Sequence, residues 1–486
     1  MESTAKYDVI VVGAGMAGLS AAAALISAGK KVAILEQNWI PGGCAASYPR
    51  KHVRFEAGAT TLVGLEKNMP LGLLASKTGI QFEAEELKVP MEIHFESENL
   101  SFPRDRNLDD WIKRCEVVFG ATGQEAFWRY CSRISALVWE ASGRYLRFPP
   151  ERLSDWVALA ARFHPKFLPL LPLALKSMDS LLGRYGLAQN RRFCQFVNQQ
   201  LLITAQSESS DTNVLFGATA LCYPLLPNYY VKGGIGKIAE SIWDYCVREG
   251  AEVKLRCTVQ QLIPSSGSVL VQTNQGSFEA DIAVLAIPVN ALPELLPGIV
   301  PGIKDFRPID SLWSAFQCSI HARAGIPTEA LHHQIHLDAP LPGLSSRSVF
   351  VSFSHPDDTM RCAEGECVLS VSTHVKADQF IDETQKKLIE REIIKLIFHK
   401  NWIQGEPLYV HSAVHGSWLK WSGRTGGAVG GYPQTLQVKP WAMNGARTRY
   451  RQIYLAGDSC YPGQGIPGAV LGGLIAAEKV IADRRI

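Results

Sequence analysis

The sequence has almost no charge imbalance: 49 Lys and Arg stand against 46 Asp and Glu, a formal net charge of +3. That balance excludes the broad cationic footprint of a nucleic-acid binder. The 11 cysteines are odd in number and include no CxxC pair, which argues against a disulfide framework or zinc ribbon and for a reducing compartment, cytoplasmic or plastid-stromal. No basic and apolar leader precedes the strand-like run at Tyr7, so no secretory signal is expected. Two stretches lack charged side chains, Thr212 to Val231 and Ser459 to Ala477, but proline, asparagine or a Gly/Pro-rich loop interrupts each, and neither reads as a membrane span. No internal repeat, low-complexity tract or GxSxG elbow is present. His332, His333 and His336, and His411 with His415, fall in alternating contexts that would set the rings apart, so no metal centre is expected from them.

What is present is a large core. Of 486 residues 47% are hydrophobic, enough for two or three domain-sized units. Tyr7 to Val12 reads as a buried strand, Gly13-Ala14-Gly15-Met16-Ala17-Gly18 as a turn, and Leu19 to Ala28 as a helix ended by Gly29. Lys31 to Leu35 is a second strand, closed by Glu36. This is a βαβ unit for a dinucleotide: Gly13 permits the tight turn, Gly15 lets backbone approach a pyrophosphate, and Gly18 lets helix and strand pack. Glu36 would accept the adenosine ribose hydroxyls. The small-residue loops Pro41 to Tyr48 and Phe55 to Thr60 suit backbone threaded close to a long FAD molecule.

From about Asn107 to Gln200 the pattern is helical. It includes a proline-punctuated apolar run, Trp156 to Leu182, with Trp156, Leu159 and Phe163 on one face and Arg162, Lys166, Lys176 and Arg184 interspersed. Two readings stand side by side, a core helix pair or an apolar surface facing a membrane or a substrate mouth. Gly233 to Gly236 lacks the preceding long strand and the spacing of a second dinucleotide loop. Strands are expected at Glu252 to Arg256, Val259 to Ile263, Val269 to Thr273, Asp281 to Ala286 and, alternating, from Ile309 to Val375. A helix over Asp382 to Lys400 would turn Leu388, Ile389, Ile393, Leu396 and Ile397 inward. The fold class is therefore α/β, a Rossmann-type domain of residues 1–66, 230–300 and 416–486 with an inserted α+β substrate domain of residues 67–229 and 301–415.

Near the C-terminus, Ile453 to Asp458 is a strand ending in Gly-Asp, followed by a helix from about Pro467 to Ala482. With the N-terminal fingerprint, this resembles the closing FAD motif of the amine-oxidase-like flavoproteins. The stretches YDVIVVGAGMAGLSAAAAL, Pro41 to Gly43, GRTGGAVGGYPQ at Gly423 to Gln434, and GDSCYPGQGIPGAVLGG look like the phytoene desaturase, carotenoid isomerase and retinol saturase group. In that group an Arg often follows the PGG-like glycines; here the residue is Cys44, which implies a backbone-only phosphate contact at this point. The expected FAD contacts are Gly13, Ala14, Gly15, Met16, Ala17, Gly18, Glu36, Gln37, Gly43, Cys44, Ala59, Thr60, Val259, Gly457, Asp458, Gly465, Ile466, Gly468 and Ala469. The resemblance implies an apolar polyene or isoprenoid substrate drawn from a membrane surface, and chemistry carried by the flavin. Quinone or oxygen is the expected electron acceptor. Desaturation by hydride transfer to FAD is the first reading and cis/trans isomerisation with reduced FAD the alternative. A flavin amine oxidase of the same fold is a further one, with Trp421 and Tyr461 as conceivable members of its aromatic pair; a prenyl carrier like the Rab GDP-dissociation inhibitors is the non-enzymatic one.

Overall fold

A computed structural model describes residues 6–296, 303, 312–326 and 329–484. The expected domain boundary at 300/301 and the expected start of the strand region at Ile309 lie outside these residues.

One seven-stranded sheet is built on Lys6–Val12, which runs parallel to Val32–Leu35 on one side and to Gly276–Leu285 on the other. Glu252–Lys254 and Ile453–Leu455 add further parallel strands, and the hairpin Val259–Pro264 with Val269–Thr273 extends one edge antiparallel. Helices cover the parallel strands, which is why their sequences are unbroken apolar runs. The helix Met16–Ser27 packs against the helix Gly465–Arg484. A Cβ at Gly473 would lie 2.3 Å from the Ala17 carbonyl oxygen, so the two backbones meet without side chains between them. Among the described residues, Gly465–Arg484 is the one helix long and apolar enough to cross a membrane, and most of it is buried in this packing.

The second seven-stranded sheet runs in the order Ile403–Ala413, Trp313–Ala324, Glu366–Lys376, Ser348–Phe353, His332–His336, Glu92–Phe95, Leu100–Pro103. It is antiparallel except between His332–His336 and Glu92–Phe95. Helices between Leu108 and Leu221 form a block beside it, cored by Trp111, Trp128, Phe193 and Phe196.

The structure corrects several expectations. The run Trp156 to Leu182 is not a core helix pair. Its α-helix ends at Ala161, leaving Phe163 beyond it, and Pro165–Leu175 is a 3₁₀ segment because Pro169 and Pro172 remove the donors an α-helix needs. With three residues per turn, Phe167, Leu170 and Leu173 point inward while Leu168 and Leu171 on the neighbouring face point out. Trp156, Leu171 and Leu175 are 57%, 54% and 55% exposed, an apolar outer face on this run. Leu388 is 44% exposed, although Ile389, Ile393, Leu396 and Ile397 on the same helix are buried. His415 opens the helix His415–Ser422 rather than lying in a strand. The C-terminal helix begins at Gly465, two residues before Pro467.

Candidate functional site

Between the strand ending at Val12 and the helix starting at Met16 the chain turns within three residues. Gly13 takes φ +98°, and a Cβ there would lie 2.6 Å from the Ala286 carbonyl oxygen. Gly18 is closed in by Gly13, whose carbonyl oxygen would be 1.9 Å from its Cβ. Gly15 is the opposite case: nothing lies within 4 Å of where its Cβ would stand. The free N–H groups of the helix therefore open onto space that suits a phosphate.

Glu36 ends the second strand, buried, and accepts the Ala14 N–H at 2.6 Å and the Asn38 N–H at 2.8 Å. Burial raises its pKa while these donors pull it back. Across the site, Gly457 takes φ +115° with open space at its Cβ, and Asp458 follows it. Arg424 is the residue that sequence reasoning missed. It comes from the GRTGG loop, donates to the Cys44 thiol at 3.1 Å and forms an ion pair with Asp458. Burial opposes its charge, but Asp458 and Cys44 outweigh that cost and raise its pKa. Its Nε is buried with no hydrogen-bond partner among the described residues. Where a backbone-only contact is expected at Cys44, a guanidinium reaches the same place from 380 residues away.

All the expected cofactor contacts line one cavity of about 1130 Å³ except Ala14, whose N–H is held by Glu36, and Gly18, which is closed in by Gly13. The residues fit FAD: an open glycine at a helix start, a buried carboxylate at the ribose end, and a buried guanidinium with a donor to spare. The same cavity continues past Ala59 and Thr60 to Leu215, Phe216 and Tyr223, and reaches Phe163, Leu168 and Leu171, which are half exposed.

Trp421 and Tyr461 both line the cavity, each held by a neighbour that also lines it. The Trp421 indole N–H donates to the Gly43 carbonyl at 3.0 Å, and Tyr461 packs edge-on to Phe148 at 4.7 Å. Among the described residues no ring contact joins the two. The Gly233–Gly236 loop is filled by protein: the Gly236 N–H donates to Ser47 Oγ at 2.8 Å and the Ile235 N–H to Glu56 at 3.1 Å. Sequence reasoning also passed over His94. It lies 3.0 Å from His333, with Glu92 alongside, in a neutral pair whose His94 pKa burial lowers to about 3.

The family described as flavin containing amine oxidoreductase matches residues 16–481. A chloroplastic prolycopene isomerase of Daucus carota is 24% identical, covering 98% of this chain and 80% of that protein. A phytoene desaturase of Cercospora nicotianae is also 24% identical, covering 99% and 91%. Among solved structures, putrescine oxidase with putrescine bound superposes with a TM-score of 0.66 at 17% identity, over 99% of this chain and all of that one, a likeness of fold.

Proposed function

The chain belongs to the flavin-containing amine oxidoreductases and is an FAD-dependent oxidoreductase, and on that premise we propose that it desaturates a long apolar polyene or isoprenoid. The observation that carries this reading is the continuity of one cavity from the dinucleotide loop to an apolar opening. Bound FAD supplies the hydride acceptor. The chain's residues hold and orient it: the helix start at Gly15 and Arg424 take the pyrophosphate, Glu36 the adenosine ribose, and Asp458 with the helix start at Gly465 the far end. Leu215, Phe216 and Phe350 line the substrate chamber and exclude water from it. Phe163, Leu168 and Leu171 rim the opening, which we place against a membrane surface.

Direction follows from electron supply. Ser47 and Glu56 fill the Gly233–Gly236 loop, so it offers no seat for a nicotinamide dinucleotide that would keep the flavin reduced. A quinone or oxygen acceptor suits that arrangement. A second reading, cis/trans isomerisation with reduced FAD, is favoured by relatives named prolycopene isomerase.

The test is anaerobic incubation of oxidised holoprotein with a cis-carotene or phytoene in liposomes. The expected result is loss of oxidised-flavin absorbance and a product two hydrogens lighter with longer conjugation. A product of unchanged mass, formed only when FAD is reduced, would replace desaturation by isomerisation. Turnover of an amine with peroxide release, and of no polyene, would reject the substrate class.

A further inference from the structure

The substrate-domain sheet presents a polar face to the cavity. Along Glu366–Lys376 the alternate residues Ser370, Ser372 and His374 line it, and the neighbouring strands add Gln317 and Ser348. Strand register makes this one continuous surface. Ser372 pairs with Gln317 on one side and Phe350 on the other, and Ser370 pairs with Ser319 and Ser352. This wall lies at the flavin end, because Ser352 Oγ donates to Thr60 Oγ1 at 2.8 Å and Gln317 Nε2 to the Glu56 carbonyl at 2.9 Å. Ser370 Oγ is buried and has no hydrogen-bond partner among the described residues. Burial lowers the His374 pKa to about 4, so near neutral pH it is an uncharged imidazole.

A chamber for an unbroken hydrocarbon gains nothing from such a wall, since a buried hydroxyl such as that of Ser370, facing only CH groups, goes without a hydrogen bond. The opposite end of the cavity, with Phe163, Leu168 and Leu171, shows what a hydrocarbon-facing surface looks like in this chain. Resting on the polyene reading above, we infer that the substrate carries a hydrogen-bonding oxygen, a hydroxyl or carbonyl, on the part that lies against Ser370 and Ser372. The rest of the molecule, facing Leu215, Phe216 and the opening, is hydrocarbon. The wall then selects oxygenated polyenes over their parent hydrocarbons.

The test uses FAD-loaded protein in detergent micelles titrated with β-carotene, its 3-hydroxy derivative and its 4-oxo derivative. Quenching of tryptophan fluorescence reads binding, because Trp139, Trp418 and Trp441 line the cavity. The expected result is that one or both oxygenated compounds bind roughly tenfold more tightly than β-carotene, the scale of a single added hydrogen bond. The double variant Ser370→Ala, Ser372→Ala, checked for full FAD content, should erase that preference, the oxygenated compounds then binding no more tightly than β-carotene. Equal affinity of all three compounds for the wild type would overturn the inference and leave the polyene reading standing. So would a preference that survives the double variant. Failure of all three to bind would reject the polyene reading and the inference together.

Discussion

The Arg424 guanidinium donates to the Cys44 thiol at 3.1 Å while pairing with Asp458, so one side chain joins the second glycine loop to the C-terminal Gly-Asp turn. All three residues line the cavity that Gly15 also lines. Arg424→Ala should weaken FAD binding by about 1.5–3 kcal/mol, roughly 10- to 160-fold, the range for hydrogen bonds to a charged group. Dialysis and absorbance of the retained flavin measure it. Adding Cys44→Arg in the same chain should recover much of the loss, since it returns a guanidinium to that place.

Gly15→Val should abolish flavin retention while leaving the fold intact. The space at the Gly15 Cβ is open among the described residues, so the branched side chain has room on the protein and extends into the pyrophosphate path. Far-ultraviolet circular dichroism like the wild type, with no flavin absorbance, is the expected outcome. Stoichiometric FAD in that variant would contradict the placement of the cofactor.

Leu171→Ser with Leu175→Ser should weaken sedimentation with liposomes without loss of FAD. Each removes an exposed apolar side chain from the face beside the opening, at about 1.5–3 kcal/mol per leucine if fully immersed in lipid. Charge matters less here than the sequence suggests, because Lys166 is already paired with Glu140 at 2.5 Å. Unchanged binding by the double serine variant would reject a membrane role for this face.

Asp155→Asn should destabilise the protein by about 1.5–3 kcal/mol, read from denaturant midpoints, because Arg447 loses one charged partner while keeping Asp483 and Glu151. Asp155 caps the start of the helix Leu153–Ala161 and contacts Arg447 at 2.5 Å; Arg447 also binds Asp483 bidentately. Burial works against both carboxylates, yet Arg447 and neighbouring donors bring their pKa values below the usual range. A depressed folded pKa gives stability that is complete above the unfolded value, about 3.9, and is lost as pH falls through the folded one. The wild type should therefore lose stability more steeply below about pH 4 than the Asn variant does.

Local spacing made the dinucleotide loop readable. Three glycines, a strand before, a helix after and an acid at Glu36 all lie within one βαβ unit, so the sequence carries the pattern unaided. The Gly-Asp turn at Asp458 is readable for the same reason. Arg424 was not, because its partners are separated from it by 380 and 34 residues and only the folded chain brings them together. The serines at 370 and 372 are visible as strand alternation, yet alternation does not say which face meets a cavity. In the run after Trp156 the prolines were visible, but their effect, a three-residue repeat with one face in and the next face out, depends on which face the core takes up. His94 and His333 lie 239 residues apart and meet through a parallel strand pairing that local periodicity does not encode.

Among the described residues no wall separates the space beside Gly15 from the space beside Phe216. Two ligands seated there share a boundary, so each becomes one side of the other's compartment. Their affinities are then coupled, and the coupling is reciprocal: whatever factor the dinucleotide contributes to polyene binding, the polyene returns to dinucleotide binding. Protein starved of its lipid substrate should therefore shed flavin sooner than protein saturated with it.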